Sequence, residues 1–68
     1  MLGLEAKLSK DWEGKSAQDL AAAPVTAIQG VSEGDADLLL KAFGIKTVRD
    51  LGTNKYFRWA QSIATLAA

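Results

Sequence analysis

Apolar residues recur along most of this chain at the three- and four-residue spacing of an amphipathic helix. No run alternates convincingly like a half-buried strand. The clearest stretch is 33–43, where Ala36, Leu39, Leu40 and Phe43 fall on one side. A second, over about 55–66, carries Tyr56, Trp59, Ala60, Ile63 and Ala67 on one stripe. That stripe turns Tyr56 and Trp59 toward a core. Phe57 falls off it, and packing under the N-terminal arm is the favoured fate for an otherwise exposed ring. Shorter helices are predicted from Ser16 through Leu20, over 25–29, and over 48–51.

The boundaries have chemical causes. In S-A-Q-D, Asp19 follows Ser16 by three residues, which resembles a capping box with Asp in place of Glu. The first helix must change course before Pro24, because proline disfavours helix in the residue ahead of it. Pro24 itself suits the first turn of the next helix. Gly30-Val31-Ser32 makes a turn, and Ser32 caps a helix whose first turn holds Glu33 and Asp35. Gly34 weakens that turn mildly. Gly44 is placed to end the helix, Thr47 to cap 48–51, Gly52 to stop it, and Asn54 to cap the last helix.

Residues 1–15 read as an arm. Leu2, Leu4 and Leu8 are apolar, Gly14 and mixed charges argue against a long helix, and Trp12 offers a large apolar anchor. The expected organisation is therefore an arm over 1–15 and a domain over 16–68. The expected fold class is all-α, a compact bundle of four to five short helices. Its expected core is Leu20, Val25, Ile28, Val31, Ala36, Leu39, Leu40, Phe43, Ile45, Val48, Leu51, Trp59 and Ile63. Shifting the chain by twenty residues also aligns apolar positions, Val25 on Ile45, Ile28 on Val48 and Leu39 on Trp59. If that repeat is real, it implies two hairpins about a pseudo-twofold axis sharing one core.

Composition narrows the chemistry. The chain has 68 residues, enough for one small domain with a modest core. It contains no histidine and no cysteine, which removes disulfides and the usual ligands of zinc, haem and iron–sulfur groups. Glu33, Asp35 and Asp37 are clustered, but the glycine and final glutamate of a calcium loop are missing, so neither a metal nor a cofactor is expected. No nucleophile has a plausible base, there is no phosphate-binding loop, and a domain this small has no deep pocket between layers. The expectation is a protein that is not an enzyme and takes no small-molecule substrate. No apolar run reaches membrane-spanning length, and the first residues lack the apolar centre of a secretory signal, so a cytoplasmic location is the default expectation. Eight basic and eight acidic side chains give zero net charge. That balance disfavours a dedicated nucleic-acid binder, whose affinity comes mostly from phosphate contacts.

The segment I-Q-G-V-S-E-G-D-A-D-L-L-L-K-A-F-G-I-K-T-V-R-D-L-G, 28–52, resembles a helix-hairpin-helix motif with a degenerate hairpin. In that family the hairpin usually reads glycine, apolar residue, glycine, and its backbone N–H groups grip a phosphate at a helix N-terminus. Gly30 matches the first glycine, Val31 the apolar plug and Ala36 the small residue where the helices approach; Ser32 stands where the second glycine would be. The resemblance implies a backbone-binding site at Gly30, Val31 and Ser32, yet Glu33, Asp35 and Asp37 beside it would repel a phosphate. The second turn is better suited: Gly52, Thr53 and Asn54 are small and polar, Lys55 and Arg58 follow, and Lys46 and Arg49 precede.

Two functions follow as expectations. The first is a small non-catalytic binding module acting through protein–protein contacts, with another chain or a copy of itself as partner. The alternative is sequence-independent DNA or RNA backbone binding through the second hairpin. A third reading, a structural joint cut from a larger protein, fits the sequence as well.

Overall fold

A side-chain cap opens each α-helix in the computed structural model, which describes residues 5–68. Leu2 and Leu4, assigned to the arm, lie outside the described residues. Ser16 Oγ accepts the Asp19 N–H at 3.1 Å and starts α1 (Ala17–Ala22). Before α2 (Glu33–Phe43), Ser32 Oγ accepts the Asp35 N–H at 3.0 Å, and the Asp35 carboxylate accepts the Ser32 N–H at 3.2 Å. The same reciprocal box opens α3 (Val48–Thr53), built from Thr47 and Asp50. Asn54 Oδ1 accepts the N–H groups of Tyr56 at 2.9 Å and Phe57 at 3.3 Å to start α4 (Lys55–Ala67). Gly44 closes α2 in the left-handed region at φ 68°, which a residue with a Cβ adopts only at a cost.

Two expected boundaries move. Gly52 does not end α3: the helix runs on to Thr53, whose hydroxyl donates to the Arg49 carbonyl at 2.7 Å, and Asn54 alone separates it from α4. The helix expected over 25–29 is only a 3₁₀ turn, Val25–Ala27, with further 3₁₀ turns at Glu5–Lys7 and Lys10–Trp12. It stops early because Ile28 is extended and the Gln29 N–H donates to the Lys7 carbonyl at 2.9 Å.

That bond belongs to a small strand-like centre. Leu8 lies opposite Ile28, bracketed by Gln29 N–H to Lys7 and by Ser9 N–H to the Ala27 carbonyl at 2.7 Å; the Ser9 hydroxyl also donates to the Thr26 carbonyl at 2.8 Å. Pro24 lies opposite Thr47, bracketed by Val25 N–H to Lys46 at 3.2 Å and Val48 N–H to Ala23 at 2.9 Å. In this antiparallel pattern the facing residues exchange no bond themselves, so a proline costs the pairing nothing.

Leu20, Ala23, Val25, Ala27 and Ile45 form the buried core. Ile28, Val31, Ala36, Leu39, Val48 and Leu51 are half-buried. Four expected core residues are exposed instead: Leu40, Phe43, Trp59 and Ile63, and Tyr56 with them. For the α4 residues the reason is length. At 1.5 Å per residue α4 is about 20 Å long, whereas α3, against which it packs, is about 9 Å and covers only one end. Phe57, off the stripe, lies edge-on to Phe43 at 5.5 Å and is itself exposed. The described part of the arm pairs with residues 26–29 instead of covering Phe57. Trp12 is half-buried beside a shallow depression bordered by Lys15, Asp19, Ala22, Ala23 and Pro24. No helix among the described residues is long and apolar enough to cross a membrane.

Candidate interaction surface

Several backbone donors at the helix N-termini near the two turns singled out from sequence are already used by the chain. At Gly30, Val31 and Ser32, the Val31 N–H donates to the Ile28 carbonyl at 3.1 Å and the Ser32 N–H to Asp35. Gly30 supplies the turn at φ 97°. The Asp35 carboxylate thus takes one of the donors that a phosphate could use at this helix start. Ahead of α3, the N–H groups of Lys46 and Thr47 both donate to the Asp50 carboxylate at 3.1 Å, and at the turn before α4 those of Tyr56 and Phe57 are held by Asn54.

Asp50 was not among the residues singled out from sequence, although T-V-R-D carries the same spacing as S-A-Q-D. The Lys46 N–H, then the Thr47 N–H, hold its carboxyl below the ordinary aspartate range against an opposing effect of burial, with lesser help from the Thr47 hydroxyl and the Lys46 charge. A depressed carboxyl contributes stability that is fully present above its unfolded value, about 4, and is lost as pH falls through the lower folded value. The thermal midpoint should therefore hold from neutral pH down to about 5 and drop below about 4, with a shallower drop in Asp50→Asn. An equally steep drop in that variant would remove Asp50 from the acid response.

The basic side chains Lys46, Arg49, Lys55 and Arg58 are exposed. Lys46 and Arg49 flank the start of α3, while Lys55 and Arg58 lie in the first turns of α4 with Gly52, Thr53 and Asn54 just before them. Lys55 does not stand clear of the aromatics: its ammonium lies over the Tyr56 ring at 5.1 Å and the Trp59 ring at 5.9 Å. Tyr56 and Trp59 meet edge to face, 5.7 Å between centroids at 89°. Lys55 thus competes with any stacked base for one face of each ring.

What it does offer is apolar. Trp59 is 58% exposed and Ile63 67%, with Tyr56 and Leu66 along the same side of α4. Phe43 joins this stripe to α2, its ring 6.2 Å from Tyr56. On α2 the same Phe43 walls a shallow groove of about 400 Å³ with Val31, Asp35, Leu38, Leu39 and Ala42. The acidic cluster lies mostly elsewhere on this helix, with Asp37 paired to Lys41 at 2.9 Å. Leu38 was not singled out from sequence because it falls off the α2 stripe, and the structure leaves it exposed for that reason. Comparison of the chain with protein-family models, with curated proteins and with solved structures finds no match.

Proposed function

We propose that this chain is a small, non-catalytic binding module of helix-hairpin-helix-like layout that works through protein contacts, with α4 and Phe43 as the contact surface. One observation carries the reading: the large apolar side chains of α4 stand in water although the helix is amphipathic, and contiguous exposed apolar surface marks interaction sites. Zero net charge and self-capped helix ends weigh against the alternative of nucleic-acid backbone binding. Exposed Lys46, Arg49, Lys55 and Arg58 are what favours that alternative.

A photo-reactive amino acid at position Ile63 should cross-link this chain to protein in its own cells, and one at Gln61, away from the apolar stripe, should not. Adding Trp59→Ser should reduce the Ile63 yield about tenfold, since buried aromatic anchors dominate such contacts. Absence of protein adducts, together with salt-sensitive binding of short DNA that Lys55→Glu and Arg58→Glu abolish, would move the function to nucleic acid.

A further inference from the structure

We infer that a partner of this surface is a second copy of the chain, with α4 of each protomer seated across the α2 groove of the other. This rests on the protein-contact reading above and names its partner. Three features of the molecule point to it. The first is complementarity of shape and charge. The groove walled by Leu38, Leu39, Ala42 and Phe43 is apolar with Asp35 at its edge, and α4 is an apolar helix face flanked by Lys55 and Arg58 with no carboxylate of its own. The second is continuity. Phe43 belongs to both the groove and the aromatic cluster, so donor helix and acceptor groove form one surface that a twofold axis can satisfy twice over.

The third is size. Leu38, Phe43, Tyr56, Trp59, Ile63 and Leu66 each leave about half or more of their side chain in water. At roughly 100 Å² apiece, for residue types that bury 150–250 Å² when aromatic, they leave on the order of 600 Å² open per copy. That is near the upper limit for the largest apolar patch of a monomer and most of the roughly 800 Å² per partner of a standard interface. Zero net charge leaves no overall repulsion between copies.

The chain contains no cysteine, which makes the pairing directly testable. Chains carrying Leu38→Cys, mixed with chains carrying Ile63→Cys under mild oxidation, should form the mixed disulfide dimer at least about tenfold faster than either variant forms its own, by analogy with the gain from holding groups together. The unmodified chain should sediment as a concentration-dependent dimer, half-associated on the order of 100 µM or tighter for an interface of this size, and Ile63→Asp should weaken association at least about tenfold. Preferred Ile63→Cys self-pairing would overturn the α4-to-α2 arrangement. A chain that stays monomeric to about 1 mM would overturn self-association altogether. In that case protein adducts from position 63 would keep the protein-contact reading alive, and their absence would remove both.

Discussion

Val25→Asp should abolish the folded state. Val25 is 1% exposed and is the largest side chain wholly enclosed among the described residues, and its N–H ties the 3₁₀ turn to Lys46. An unpaired carboxylate there costs several kcal/mol. A chain this short has a total stability of roughly 3–10 kcal/mol, so that single cost is comparable to the whole. Far-UV circular dichroism should show an unfolded chain without denaturant. The gentler Val25→Ala should cost about 2 kcal/mol, for two methyl groups lost plus the cavity left behind, read as a shifted urea midpoint. The contrast with Val31→Asp gives the test its edge. The helix-hairpin-helix resemblance makes Val31 the buried plug, yet Val31 is half-buried on the groove wall. Val31→Asp should leave a folded protein weakened by about 1–2 kcal/mol. Equal damage at the two positions would restore the plug to Val31.

Ala27→Leu should destabilise the protein by about 2–3 kcal/mol, lowering the melting temperature by roughly 10–20 °C, even though it makes the sequence more apolar. Ala27 is 0% exposed, and its carbonyl receives the Ser9 N–H at 2.7 Å, so the arm cannot draw back to admit a larger side chain without breaking that bond. Ala60→Leu, the same change on exposed α4, should stay within about 0.5 kcal/mol of the parent. A melting temperature for Ala27→Leu at or above that of the parent would mean the core has room that its burial denies.

Helices and their caps were legible because their causes are local. Ser16, Ser32, Thr47 and Asn54 each accept a backbone N–H one turn ahead, and Gly44 takes the left-handed conformation at the end of α2. The capping box read at Ser16 closes in one direction only, while full boxes form at Ser32 and Thr47, where an aspartate stands at the same spacing. The core was less legible. Ala23 and Ala27 are buried by main-chain pairing with distant segments, a cause that side-chain periodicity does not carry. The α4 stripe was read correctly as a pattern and wrongly as a core, because an amphipathic face says that something should cover it, not what. Of the candidate binding residues, sequence located the turns. It did not reveal that Asp35, Asp50 and Asn54 already hold some of the donors there, because that depends on rotamers, not spacing alone.

The strand-like centre bears on how the chain assembles. Helical proteins of this size usually fold fast because their contacts are close in sequence. In this molecule the bonds Ser9 to Ala27 and Val25 to Lys46 each close a long loop, and the wholly enclosed Val25 and Ala27 sit on the segment they pin. Helices can form early and still leave the core open until both loops are closed, an entropic cost met before any burial rewards it. The folding rate should then be set by the meeting of residues 7–9, 24–28 and 46–48 and should belong with mixed α/β domains, although the described residues build no sheet.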